Sequence, residues 1–471
     1  MEAKLIINNE FMDTFSYYEV KNPYDESYIG QLSLASTQNV DDAYIAAENA
    51  FVSWNILPEH ERMYKLELMA KGLLLKKEDI GNLMSQEIAK PLRDCIKEVE
   101  RSAEYLIFTA NAYRGIEGRL LNGDKMPGYN FMQKTAFVSY EPMGIVLAIS
   151  PFNYPINLAI TKIAPALVTG NCVILKPATQ GALSAYLMSE VFCNILPAGV
   201  FNFIPGNSSE IGDYLLTHNK LSMIAFTGST AVGRHIQSLA KVPLYLEMGG
   251  KDSAIVLDDA EVDKAATEII KGAFSYSGQR CTAIKKIIVE EKIKNVLIQK
   301  LIENISKLKI GRAEENADIT ALIDKKSFNY VVKLLEDAKN QNAQIIYGGE
   351  ISGNIIHPTL VDNVNQSMRI YSEEPFGPIL PIITVQNMEE AILVANDTKY
   401  GLQSDIFTTN INKALIIARR LNVGTVQING KSDRGPDNFP FPGIKDSGMG
   451  VSGITDALKS MMKTKVTVIN L

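Results

Sequence analysis

Met223-Ile-Ala-Phe-Thr-Gly-Ser-Thr-Ala-Val-Gly233 passes from strand to turn to helix in one short run. Its first four residues are apolar without alternation, the pattern of a strand covered on both faces. Thr227-Gly228-Ser229-Thr230 is a polar turn, and Ala231, Val232 and Gly233 open a helix. Glycine lets a backbone approach closely, and a helix N-terminus offers free N–H groups to an anion. The spacing is not GxGxxG, so the turn fits a ligand loop and a helix start capped by Ser229 or Thr230 equally well.

Working outward, residues 144–150, 172–175 and 200–204 before this run, and 244–246 after it, are equally apolar. Helical spacing fills 155–168, 182–195, 210–217 and 232–241 between them. Continuous apolar strands alternating with helices predict a doubly wound parallel sheet with both faces covered. A second α/β block spans about 251–443, with strands at 254–257, 287–290, 380–384, 405–407 and 425–428 and helices at 262–274, 292–308 and 327–340. Residues 40–118 read mainly as helices. The last ten residues alternate Val466, Val468 and Leu471, a strand whose partner is sought in residues 120–140 or in a neighbouring subunit.

A length of 471 residues predicts two or three domains at about 150 residues each. A net charge of −6 argues against a nucleic-acid partner. The most apolar stretch, 143–177, is broken by Asn153, Asn157, Lys162, Asn171, Lys176 and prolines, so no membrane span is expected. Met1-Glu2-Ala3-Lys4 leads into too short an apolar run for a secretory leader. Cys95, Cys172, Cys193 and Cys281 lie far apart with no CxxC, which points to a reducing cytoplasm and away from a metal site. The four histidines stand in unrelated contexts and are read as structural or surface residues.

Three residues carry candidate chemistry. Cys281, in Ser277-Gly-Gln-Arg-Cys-Thr282, sits in a polar, loop-like setting where a thiolate can act as nucleophile. The other three cysteines read as small buried hydrophobes. Glu247 ends an apolar strand before Gly249-Gly250, where a carboxylate reaches the C-terminal edge of a sheet and can activate water. Its plain alternative is a surface pair with Lys251. Asn153, in Pro151-Phe-Asn-Tyr-Pro155, can donate to an oxyanion or simply make an Asx turn.

The strings Pro151-Phe-Asn-Tyr-Pro155, Lys176-Pro-Ala-Thr179, Phe226-Thr-Gly-Ser-Thr230, Leu246-Glu-Met-Gly-Gly-Lys251, Gly278-Gln-Arg-Cys281, Glu373-Glu-Pro-Phe-Gly-Pro378 and Pro440-Phe-Pro-Gly443 occur in order. Over essentially its whole length the chain resembles the aldehyde dehydrogenase superfamily. Arg434-Gly-Pro-Asp-Asn-Phe-Pro-Phe441 and the segments around Cys281 and Asn153 make it similar to the non-phosphorylating glyceraldehyde-3-phosphate dehydrogenase branch. The resemblance implies three parts: a Rossmann-like cofactor domain (1–119 and 143–249), an α/β catalytic domain (250–447) and a small β oligomerisation element (120–142 and 448–471).

It also implies roles. Cys281 attacks the aldehyde, Asn153 and the Cys281 N–H hold the oxyanion, and Glu247 activates the water that hydrolyses the thioester. Members that pass the acyl group to coenzyme A lack this base. Lys176, Thr179, Gly206, Thr227, Gly228, Ser229, Gly233, Glu374 and Phe376 are implied for the cofactor. NAD-restricted members carry Glu where Thr179 stands; a carboxylate there would repel a 2′-phosphate, so NADP is favoured and NAD is the alternative. Arg101, Tyr154, Arg280 and Arg434 are implied for the substrate phosphate, since guanidinium forks suit tetrahedral oxyanions.

Gly430, in place of a larger polar residue, and Pro436, close to Arg434, depart from the branch and leave the aldehyde less defined than the reaction. The competing expectations are another small aldehyde, lactaldehyde or succinate semialdehyde, and an inert relative that only binds. A small-molecule aldehyde, no nucleic acid or membrane, and a homo-oligomer, dimer or tetramer, complete the expectation.

Overall fold

Met223–Thr227 is buried along its length and pairs in parallel on both sides, with Ile145–Ile149 and with Leu244–Glu247. The computed structural model describes residues 1–131 and 133–470. Cys172–Lys176 and Phe201–Phe203 continue the parallel sheet beyond Ile145–Ile149. Chain order therefore runs outward in one direction from Ile145–Ile149 and in the other from Met223–Thr227. The reversal point between those strands is where an open α/β sheet leaves a crevice at its strand ends. Asn157–Val168, buried at every residue, is one of the helices that cover the sheet.

Both sheet edges are closed by strands absent from the sequence reading. Leu5–Ile7 and Glu10–Met12 form a hairpin that adds antiparallel beside Phe201–Phe203. Gly448–Met449 adds antiparallel to Leu244–Glu247. Segments of two or three residues are too short to show period-two alternation. The helix Ile454–Ser460 packs against Leu92–Tyr113 and Asn157–Val168. Residues 448–460, grouped by the sequence with the tail, therefore lie on the first sheet and its helices. What places them is long-range pairing, not local pattern.

The second sheet has seven strands, with Asp252–Val256 flanked by Ile284–Glu290 and Gln403–Phe407, all parallel. Its outer strand Gln344–Tyr347 is antiparallel. Val262–Phe274 packs its Ala265, Ile269 and Phe274 into this sheet's core.

A third sheet joins Arg119–Asn122, Lys134–Pro142 and Met462–Asn470. The terminal strand pairs within its own chain, from Met462 against Pro142 to Asn470 against Lys134. Leu471, the last of the alternating apolar positions, lies outside the described residues. Val466, Val468 and Ile469 stand exposed on this edge strand.

Candidate active site

Register brings the site residues level. Ile149 lies beside Lys176 on one side and Phe226 on the other, and Thr227 lies beside Glu247. Four neighbouring strands thus end together at the crevice. Asn153 follows the first of them, and Gly228 and Ser229 follow the third.

The turn that carries Asn153 is held from behind by a buried ion pair. Glu98 Oε1 accepts the N–H groups of Ile156 and Asn157, each at 2.9 Å, and so caps the helix Asn157–Val168. A carboxylate at a helix N-terminus satisfies otherwise orphaned donors. Lys90 pairs with Glu98, donates to the Asn153 carbonyl at 3.2 Å and lies over the Tyr154 ring. Both side chains of the pair are almost fully buried. The sequence reading missed this device; nothing local marks the contacts of Lys90 with Asn153 and of Glu98 with Ile156 and Asn157, 58 to 63 residues apart. Lys90→Met is expected to strand a buried carboxylate and cost about 3–5 kcal/mol of unfolding free energy. A urea midpoint equal to wild type would contradict this.

Cys281 is delivered by a strained turn. Tyr276, Ser277 and Gly278 take left-handed φ values of 51°, 52° and 73° in succession. For the two non-glycine residues this costs roughly 1–2 kcal/mol each. The turn is over-determined: Tyr276 donates to the Ile88 carbonyl at 2.8 Å, and Ser277 Oγ accepts the Thr320 N–H at 2.8 Å. A Cβ on Gly278 would meet the Gly377 carbonyl oxygen at 2.5 Å, so only glycine fits there.

At the end of this turn the Cys281 thiol points to Glu247 Oε1 at 3.8 Å. Glu247 Oε2 accepts from Arg434 Nη1 at 2.6 Å. Glu247 is thus paired with Arg434 and not with Lys251, whose ammonium donates to the carbonyls of Ile370 and Glu373. Asn153 Nδ2 donates to the Gln279 carbonyl at 2.9 Å, which turns its amide toward the cysteine loop and leaves a second N–H. Burial pushes the Cys281 thiol up to about 12, the Glu247 charge adds to the rise, and Lys285 and Arg434 oppose it.

A cleft of about 1200 Å³ runs alongside, and Arg101, Tyr154, Arg280 and Arg434 all line it. Each arginine already has work. Arg101 grips Asp437 through Nε at 2.8 Å and Nη2 at 2.7 Å and also donates to the Arg434 carbonyl. Arg280 Nη2 donates to the Gly272 carbonyl at 2.6 Å, while its buried Nε has no hydrogen-bond partner among the described residues. An orphaned buried guanidinium N–H beside a cleft is a costly arrangement that an anion relieves.

The residues expected for a cofactor divide. Lys176, buried at a strand end, is brought down to about 8 by desolvation alone, and no carboxylate pairs with it among the described residues. Such a cation suits a phosphate or hydroxyl ligand, and Thr179 lies in the loop just beyond it. Ser229 accepts from the Val232 N–H and caps the helix Thr230–Leu239, as its plainer reading had it. Thr227 Oγ1 accepts from Lys162 at 2.7 Å, and the Gly228 N–H donates to the Glu247 carbonyl at 3.1 Å. A Cβ on Gly233 would meet Met248 Sδ at 2.1 Å and one on Gly206 would meet Ile211 Cδ1 at 2.2 Å, so these two glycines serve close packing. Glu374 Oε1 accepts the Gly250 N–H, and Phe376 meets Phe152 edge-on at 5.9 Å.

The model of the aldehyde dehydrogenase family matches residues 11–467. The chain belongs to that family. Among curated aldehyde dehydrogenases it is similar to the NADP-dependent glyceraldehyde-3-phosphate dehydrogenase of Streptococcus equinus, 45% identical over 100% of this chain and 99% of the relative. The enzyme of the same name from Nicotiana plumbaginifolia is 41% identical over 98% of this chain and 96% of its own length. Among solved structures, NADP-dependent glyceraldehyde-3-phosphate dehydrogenase from Bacillus halodurans C-125 complexed with NADP superimposes with a TM-score of 0.98. It is 45% identical, with 100% of both chains covered. The aldehyde dehydrogenase fold anticipated from the ordered strings is the fold observed.

Proposed function

We propose that this chain oxidises glyceraldehyde 3-phosphate to 3-phosphoglycerate with NADP, releasing the acid to water. The cleft lined by Arg101, Tyr154, Arg280 and Arg434, joined to Cys281 through the Arg434–Glu247 pair, carries the reading. It is supported by NADP-dependent glyceraldehyde-3-phosphate dehydrogenases at 41–45% identity over nearly the whole chain.

Cys281 Sγ adds to the aldehyde carbon, a C–S bond forms, and the thiol proton passes toward Glu247. An aldehyde has no leaving group but hydride, so only a covalent adduct with an anionic oxygen can expel it. The free N–H of Asn153 Nδ2 and the Cys281 backbone N–H stabilise that oxygen as its charge develops. Bound NADP supplies the acceptor for the departing hydride, which leaves a thioester on Cys281. Glu247, having passed the first proton on to solvent, then takes a proton from water as it attacks the thioester carbon; the C–S bond breaks and Glu247 returns that proton to the departing thiolate. Arg434 holds Glu247 Oε2, which keeps Oε1 on the sulfur side.

For the cofactor, Lys176 and Thr179 would donate to the 2′-phosphate, Glu374 would accept from the nicotinamide ribose hydroxyls, and Phe376 would pack near the ring. Gly206, Thr227, Gly228, Ser229 and Gly233 shape the remaining wall. The same reading divides the chain into cofactor, catalytic and oligomerisation parts. The exposed apolar edge at Val466, Val468 and Ile469 supports a homo-oligomer, dimer or tetramer. Four free cysteines support a reducing cytoplasm as its place of work.

The test is NADPH formation in phosphate-free buffer with glyceraldehyde 3-phosphate beside glyceraldehyde, lactaldehyde and succinate semialdehyde. The phosphorylated aldehyde is expected to lead in kcat/KM by roughly 10⁴-fold, the scale on which a site built for a polar group rejects analogues lacking it. Arg280→Ala is expected to lower kcat/KM for it by about 10–100-fold, the worth of one charged hydrogen bond, and to leave glyceraldehyde unaffected. Equal rates across the aldehydes would remove the phosphate assignment.

A further inference from the structure

Lys285 was not singled out by the sequence. Its ammonium, almost fully buried at the start of Ile284–Glu290, donates to the Cys281 carbonyl and pairs with Glu374 Oε1 at 3.2 Å. Glu374 in turn accepts the Gly250 N–H at 3.1 Å. A Cβ on Gly250 would meet the Cys281 carbonyl oxygen at 3.2 Å and Asp252 Oδ1 at 2.6 Å. Four segments therefore close around one cation: the cysteine turn, the Glu247–Gly250 segment, the strand Asp252–Val256 and the loop carrying Glu374.

We propose that Lys285 is a positioning residue for the nucleophile: its ammonium fixes the Cys281 main chain, favours the ionised thiol, and anchors Glu374 on the cofactor side. The inference rests on Cys281 being the nucleophile, as read above.

The surrounding charges support it. The groups facing Cys281 are Glu247 at the end of Leu244–Glu247, Arg434 in the loop after Thr425–Ile428, Asp252, Lys285 and, from Asn157–Val168, Lys162. Glu247 and Arg434 offset each other in their own ion pair. Burial brings Lys162 down to about 7, so its charge is halved near neutrality. Asp252 also faces Lys285, but burial raises it to about 7, and its Oδ2 has no partner among the described residues. Lys251, the other cation beside Lys285, is driven well down by burial. Glu374 balances Lys285 directly, and Asp252, half-ionised near neutrality, adds to it. In a low-dielectric interior an opposite charge nearby favours the thiolate.

Iodoacetamide alkylation of Cys281, located by mass spectrometry and followed against pH, tests this without turnover. Lys285→Gln and Lys285→Arg both keep a donor for the Cys281 carbonyl and differ in charge. Each unit of rise in the thiol lowers the thiolate fraction tenfold, and the greater nucleophilicity of a more basic thiolate returns part of it. Lys285→Gln is therefore expected to react about three- to tenfold more slowly at pH 8, with a raised KM for NADP, while Lys285→Arg stays within about twofold of wild type. Equal rates in the two variants would overturn the proposal. Should Lys285→Gln fail to fold, Glu374→Gln removes the balancing carboxylate and is expected to speed alkylation; an unchanged or slower rate would refute the role. Dehydrogenase activity retained in Cys281→Ser would instead sink the nucleophile reading, a separate outcome.

Discussion

Cys281→Ser is expected to fold normally and to lose at least about 10³-fold in kcat, with no acyl-enzyme detectable by mass spectrometry. The substitution removes one atom's polarisability and acidity and leaves the turn that presents it. Tyr276, Ser277 and Gly278 hold that turn through Ile88, Thr320 and the close approach of Gly377, none of which touches the sulfur. The wild-type thiol, pushed up to about 12 chiefly by burial, is mostly protonated near neutrality in the free protein. Its alkylation is therefore expected to climb roughly tenfold per pH unit from pH 7 to 9 without a plateau. A plateau already at pH 8 would place the thiol below its ordinary value and remove burial as the controlling cause. Substantial turnover by the serine variant would show that the chemistry lies elsewhere.

Glu247→Gln divides the reaction. Glutamine keeps the shape of the side chain and loses the base, so steady-state NADPH formation is expected to fall by about 10²–10⁴-fold. A first burst near one NADPH per site is expected to survive, slowed because the same carboxylate stands 3.8 Å from the thiol sulfur and takes its proton. Accumulated thioester, seen as a mass increase on Cys281, accompanies it. Loss of burst and steady state in equal proportion would mean that Glu247 acts before hydride transfer and not after it. The variant also leaves Arg434 without its charge partner, so its KM for the phosphorylated aldehyde measures how far that pairing aims the guanidinium into the cleft.

Much of this was legible because the strands of the two large sheets are covered on both faces. A strand such as Ile145–Ile149 or Cys172–Lys176 has no solvent side, so its composition alone marks it. The short peripheral strands Leu5–Ile7 and Gly448–Met449 were too brief to leave such a mark, since what makes them strands is a partner supplied by distant sequence. The site residues were legible as a set of ordered strings and not one by one. Glu247 beside Lys251, or Asn153 before Pro155, is indistinguishable locally from a surface pair or a turn.

The sequence by itself determined the alternation of buried strands and helices and the family, and it proposed Cys281, Glu247 and Asn153 as candidates, because these depend on local composition and on strings that keep their order. The tertiary structure alone decided what each charge answers to. Arg434 meets Glu247, Arg101 meets Asp437, Lys90 meets Glu98, and Lys285 joins Cys281 to Glu374. Most of these partners lie tens to hundreds of residues apart, and a buried charge takes whichever opposite charge or carbonyl the packing brings within reach. That choice follows from how the strands and helices close on one another, which no local window of sequence contains.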